Sequence, residues 1–188
     1  MIAVENKIVD SIFTESEMSD IYQHVDNTPE DKRVYQEAFA HTAYFSWLPE
    51  HIVNKIVKVV NDNFDKKLVL KELSFARYEN SRGKNPLLFP HYDETFKEQR
   101  VTFDIQLKSS LSWSVVVEDR PYTLQDNQAL FFSGTHQVHW REKVEFCDDD
   151  YMDMIFCHFS EEDPESTPEE HYEAMDSKVK FFRDQYYA

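Results

Sequence analysis

The segment FPHYDET, residues 89–95, sets His91 and Asp93 two positions apart. On extended backbone, residues i and i+2 point to the same side, so an imidazole and a carboxylate can converge on one point. By itself the pair also fits two polar residues in an ordinary turn. A metal centre needs a third ligand from a later element, and ALFFSGTHQVHWREKV offers two, His136 and His139. Two imidazoles and one carboxylate on one side of a metal leave the other side open, the donor set that suits non-haem Fe(II).

Such residues must be held by formed strands. From Leu68 onward the sequence alternates with period two: LVLKELSFARYE, RVTFDIQLK, SWSVVVED, PYTLQ, ALFFSG, THQVHWREKV and YMDMIFCHF are short β-branched or aromatic runs between polar turns. Seven or eight such strands after two helices predict a mainly β sandwich or barrel, with helices packed on its outer face. The first helix follows a short strand at KIVD. Thr14 and Glu17 fit a capping box, and Met18, Ile21, Tyr22 and Val25 recur at helical spacing. The second, PEHIVNKIVKVVNDNF, sets Ile52, Ile56, Val59, Val60 and Phe64 on one stripe. The stretch between them reads as a loop with some helix.

These elements define a domain over residues 1–160. Residues 161–188 form an acidic, proline-containing linker and a last helix, whose Tyr172, Met175, Val179 and Phe182 can dock on the same domain. A chain ending near Glu162 is expected to fold and bind metal without it.

Composition narrows the function. At 188 residues the chain suits one domain. Its net charge of −16 repels phosphate backbones and anionic membranes, so neither nucleic acid nor membrane is an expected partner. Only Gly83 and Gly134 occur, which excludes the glycine-rich phosphate loops of nucleotide sites. Two cysteines, Cys147 and Cys157, make no disulfide framework and read as ordinary thiols in a reducing compartment. With no signal-peptide pattern and no apolar run long enough to cross a bilayer, a soluble cytoplasmic protein is expected.

The segments IVDSIFTESEM, FARYENSRGKNPLLFPHYDE, LQDNQALFFSGTHQVHWRE and YMDMIFCHF together resemble the 2-oxoglutarate/Fe(II)-dependent dioxygenases of the prolyl-hydroxylase-like group, over about residues 8 to 160. The resemblance implies a double-stranded β-helix (jelly roll) and metal ligands at His91, Asp93 and His139. His139 is preferred to His136 because HWRE resembles the ligand strand of some members. It further implies Fe(II) as cofactor and 2-oxoglutarate and O₂ as co-substrates, with release of succinate and CO₂. The substrate hydroxylated would be a peptide prolyl residue, an amino acid or a small metabolite.

One position departs from the pattern. Relatives carry an Arg or Lys around ten residues past the distal histidine, where it clamps the far carboxylate of 2-oxoglutarate. Here that place falls in CDDDYMDM, which has no basic residue. Arg141 is the first replacement, on the face of His139. Lys108 is the second, because some branches place the clamp on an earlier strand, and His158 is the third. Tyr78 matches a position whose hydroxyl often touches 2-oxoglutarate, and equally reads as a core aromatic. Tyr92 should face away from the ligands. Trp113 and Trp140 read as core or rim aromatics, Arg77 and Arg100 as surface residues. The missing clamp leaves room for a cupin-like metalloprotein that does not use 2-oxoglutarate, and a non-catalytic jelly-roll binding module is the third possibility.

Overall fold

The computed structural model describes residues 4–44, 48–80, 84–93, 101–164 and 167–187. Arg100 lies outside them. Strand β1 (Lys7–Val9) leads to helix α1 (Glu15–Asp26). Thr14 Oγ accepts from Glu17 N at 3.3 Å and Glu17 accepts from Thr14 N at 2.7 Å, so the capping box forms as the sequence predicts. Helix α2 (Glu50–Asn61) buries Ile52, Ile56 and Val60 completely. Between the helices the expected loop is instead a 3-10 turn at Glu30–Lys32 followed by a hairpin, β2 (Arg33–Gln36) and β3 (His41–Tyr44). Those runs are too short to announce themselves. They are strands because β3 pairs with the edge of β4 (Leu68–Glu79), setting His41 opposite Tyr78.

The remaining strands are β5 (Val101–Ser109), β6 (Val115–Val117), β7 (Arg120–Tyr122), β8 (Gln128–Phe132), β9 (His139–Arg141) and β10 (Tyr151–Glu161). They form a seven-stranded sheet, in the order β1-β8-β5-β10-β4-β3-β2, and a three-stranded sheet, β7-β6-β9. The smaller sheet is extended by an antiparallel bridge between His91 and His139. Leu130 and Phe132 of β8 pack against Val115 and Val117 of β6, so the two sheets face each other as a jelly roll.

The main core lies outside that roll. Ile21, Val25, Ile52, Ile56 and Val60 of α1 and α2 pack on Phe75, Phe103, Ile105, Phe131, Ile155 and Phe159 of the larger sheet. Helix α3 (Glu169–Tyr186) differs from the other two in its placement. Its Tyr172, Met175, Val179 and Phe182 pack on Tyr92, Val138 and Trp140, behind the smaller sheet.

Candidate metal centre and active site

The bridge between His91 and His139 builds the site. His91 N donates to His139 O at 3.1 Å and His139 N donates to His91 O at 2.8 Å, which leaves the two imidazole centroids 4.2 Å apart. Asp93 N donates to Gly134 O at 2.9 Å, bringing the carboxylate under the turn after β8. His91 Nδ1 lies 2.8 Å from Phe89 O, and His139 Nδ1 lies 3.1 Å from Gln137 O. A carbonyl only accepts, so each Nδ1 donates its proton there, and each Nε2 is the atom left to face a metal. Those Nε2 atoms are 3.9 Å and 3.5 Å from Asp93 Oδ1. One donor atom from each of His91, Asp93 and His139 lies within 4.8 Å of the others. Two imidazoles and a carboxylate, fixed in this way, fit a divalent iron.

The other carboxylate oxygen is held separately. Asp93 Oδ2 lies 3.4 Å from both Thr102 Oγ1 and His158 Nε2. Burial works to raise the Asp93 pKa, yet His139, His158 and His91 together hold it well below the usual carboxylate range. Burial, assisted by His139, pushes His91 down to about 4, the neutral form a metal requires. Burial opposes charge on His158 as well, but its hydrogen bond to Asp93 outweighs that and raises its pKa. Sequence reasoning offered His158 as a weak clamp; the structure sets it against the metal-site carboxylate. In the sequence Gly134 serves only to exclude glycine-rich loops. A Cβ there would stand 1.8 Å from Asp93 Oδ2 and 2.6 Å from Thr102 Oγ1. Only glycine leaves room for this carboxylate. The signal was the rarity of glycine in the chain.

Deeper between the sheets lie Arg141, Tyr78 and Asp104. Arg141, 3% exposed, donates to Trp113 O and to Met154 Sδ (3.6 Å), with its guanidinium 4.9 Å from the Trp113 ring centroid. No carboxylate among the described residues pairs with it. Tyr78 packs edge-on to Trp113 at 5.2 Å and lies 4.8 Å from the His41 ring. Burial drives Asp104 up to about 7. His41 falls in the run read as a loop, so sequence reasoning missed it. It is buried, its Nδ1 has no hydrogen-bond partner among the described residues, and burial lowers it to about 4.

Other candidates stand elsewhere. Lys108 is exposed and pairs across from Asp153, because Leu107 forms a bulge between the pairs Asp153–Lys108 and Met154–Gln106. The extra residue turns Lys108 away from the face of Asp104 and Gln106, so this second clamp candidate does not reach into the roll. His136 accepts from or donates to Thr135 Oγ1 at 2.8 Å and lies against His171 of α3, outside the triad. Tyr92 faces away, donating to Asp176 Oδ1 at 3.1 Å. Trp113 is buried, and Trp140 lies on Phe182. Arg77 departs from its surface reading. It makes a two-pronged bond (2.7 and 2.8 Å) to Asp153, which is wholly buried. Cys147 is exposed, Cys157 buried, and both are free.

Compared by sequence, the chain matches no protein-family model and no curated protein. Compared by structure, it is similar to an oxidoreductase of the 2OG-Fe(II) oxygenase family from Burkholderia pseudomallei, at TM-score 0.64 and 14% identity over 87% of this chain and 88% of that one. It is similar to a viral collagen prolyl hydroxylase from Paramecium bursaria Chlorella virus-1 solved with 2OG, at TM-score 0.58 and 14% identity over 82% and 94% of the two chains. HygX from Streptomyces hygroscopicus, solved with nickel, 2-oxoglutarate and hygromycin B, aligns at TM-score 0.57 and 11% identity over 84% and 83%. The jelly roll that carries this His-Asp-His cluster is the fold of the 2-oxoglutarate/Fe(II) oxygenases, prolyl hydroxylases included.

Proposed function

We propose that the chain is a non-haem Fe(II)- and 2-oxoglutarate-dependent dioxygenase that hydroxylates a peptide or small-molecule substrate. The observation that carries this is the convergence of His91, Asp93 and His139 at the mouth of an oxygenase-type jelly roll. The three side chains would hold the metal through the two Nε2 atoms and Asp93 Oδ1. Bound Fe(II) supplies the activation of O₂ that couples decarboxylation of 2-oxoglutarate, to succinate and CO₂, with oxidation of a substrate C–H bond. The chain's own residues fix the donors, exclude water and orient the co-substrate.

Arg141 is the anchor for the far carboxylate of 2-oxoglutarate. Among the described residues this buried guanidinium bonds to a carbonyl and a thioether beside an indole face, with no carboxylate at salt-bridge distance, and a charge so placed favours an anion. Tyr78 stands beside it as a hydroxyl donor. The cytoplasm is the proposed compartment, since both cysteines are free; among the described residues no helix is long and apolar enough to cross a membrane.

Anaerobic addition of 2-oxoglutarate to the Fe(II)-loaded protein should produce the visible charge-transfer band of a chelated 2-oxo acid. Metal binding without that band would favour a cupin-like protein, and failure to bind metal would favour a binding module. In the same titration Arg141→Ala should weaken 2-oxoglutarate at least tenfold, about 1.4 kcal/mol, and leave Fe(II) binding nearly unchanged. An unaltered affinity would remove Arg141 from the site.

A further inference from the structure

Arg183 of α3 reaches around the edge of the smaller sheet to the rim of the metal site. Its Nε donates to Pro90 O at 2.9 Å, one residue before His91, and its Cζ lies 4.6 Å from the Phe89 ring centroid. Phe89 stacks on Phe39 at 5.7 Å, and these rings lie 6.2 Å and 6.4 Å from the His91 imidazole. Arg183, Phe89 and Phe39 are all half-buried. They form a continuous wall, cationic at one end and aromatic towards the metal ligand.

Among the described residues the cation has no counter-ion. Among the described residues no carboxylate lies within salt-bridge distance of Arg183, and its two terminal nitrogens make no hydrogen bond. Lys178, five residues earlier on the same helix, pairs with Glu118 at 2.9 Å. With Nε committed to Pro90, the two Nη groups point as a fork that matches a carboxylate. The aromatic pair beside it offers a flat apolar surface. This rim position is distinct from that of Arg141, which lies buried between the sheets.

We infer, resting on the oxygenase reading, that the substrate to be oxidised is a small organic carboxylate: its acid group is held by Arg183, and its apolar body lies on Phe89 and Phe39 beside the metal site. A substrate held by one end at the rim presents a carbon some distance along its chain to the open side of the metal.

The test uses the full-length chain loaded with Mn(II), a redox-inert and paramagnetic substitute, and saturated with 2-oxoglutarate. The probes are 3-phenylpropionate, its neutral amide 3-phenylpropanamide, and phenyl phosphate. Proton line-broadening by the bound Mn(II) reports which probe sits beside the metal. The acid should be broadened at concentrations where the amide is not. Arg183→Gln should weaken the acid at least tenfold without affecting the amide, and Arg183→Lys should restore part of the difference. Phe89→Leu should weaken the acid while preserving its preference over the amide. A merely structural Arg183, holding Pro90 in place, would not produce selectivity between acid and amide. Equal broadening of acid and amide by the native protein, or an Arg183→Gln variant that behaves as native, overturns the inference. Phenyl phosphate binding tenfold tighter than the acid overturns the carboxylate assignment. Calorimetric titration of Mn(II) and 2-oxoglutarate into the native chain separates the two levels. If neither binds, the oxygenase reading falls and takes this inference with it; if both bind and charge does not matter, only this inference falls.

Discussion

Val101, Phe103, Ile105 and Leu107 of β5 belong to the apolar layer under α1 and α2, while Thr102, Asp104 and Gln106 of the same strand lie between the two sheets. The outer layer is aliphatic and aromatic, and where it takes in a charge the charge is fully matched: Asp153 receives both prongs of Arg77 and the Tyr22 hydroxyl at 3.1 Å. The interior keeps Arg141 without a carboxylate partner among the described residues, and leaves Asp104 Oδ1 and His41 Nδ1 without hydrogen bonds there. Buried polar groups left unmatched cost stability. These three, Arg141, Asp104 and His41, lie on the inner side of the larger sheet, while its outer face holds the fold together.

The largest effect should come from the inner face. Alanine at His91, Asp93 or His139 should abolish metal binding while leaving the thermal transition cooperative. Gly134→Ala should do the same, because its new methyl would occupy the position of the Asp93 carboxylate. His136→Ala should retain metal, since that ring lies against α3. Equilibrium dialysis with Mn(II) tests all five, and a metal-binding Gly134→Ala protein would contradict the geometry.

On the outer face, Phe103→Ala should cost about 3–5 kcal/mol of stability. Phe103 is fully buried and stacked on Phe131 at 4.3 Å. Chemical denaturation reads the loss. In the fraction that stays folded, metal affinity should be native. A Phe103→Ala protein with full stability and impaired metal binding would erase the distinction between the faces.

How much of this was legible depended on the range of the interactions. The long strands β4, β5 and β10 announce themselves by alternation, and α1 by its cap, because those signals lie within a dozen residues. His91 and Asp93 are paired by their spacing, and His139 by the likeness of HWRE to a family strand. The rest depends on distant partners. Leu107 bulges only because of how β5 meets β10, so a clamp at Lys108, expected from the branches that carry it on an earlier strand, is turned out of the roll. Arg77 is drawn inward by Asp153, on another strand. The contact of His158 with Asp93, and the burial of His41 against Tyr78, exist only once the sheets have closed.

A subtler contrast concerns pH. Asp104 is held near 7 by burial, against 3.8 for an ordinary aspartate. The folded state therefore binds this proton more tightly than the unfolded state does. Protonation stabilises the fold, so the contribution of Asp104 declines as pH rises from about 4 to about 7 and is level above that. Asp104→Asn removes the dependence. In the metal-free protein the variant should gain stability relative to native between pH 5 and pH 8, by a few kcal/mol at most. Urea titrations at both values check this, and a constant difference would show that Asp104 is already charged and compensated.

The smallest effect should come from the third helix, which covers the other sheet. Truncation after Glu162 leaves the layer under α1 and α2 intact, so the chain should still fold cooperatively. It uncovers Tyr92, Val138 and Trp140, and it removes Arg183 from Pro90 and Asp176 from Tyr92. Tyr92 lies between two of the three candidate ligands, and Trp140 follows the third. Losing what holds these neighbours should loosen the ligand geometry without deleting a donor, and supporting contacts of this kind are worth about tenfold in metal affinity. The truncated chain is thus expected to bind Mn(II) about tenfold more weakly, with a denaturation midpoint only modestly lowered. If cooperative unfolding disappears, α3 belongs to the folding core as fully as α1 and α2 do. If Mn(II) affinity is unchanged, the smaller sheet holds its ligands unaided, and α3 acts only through the rim of the site.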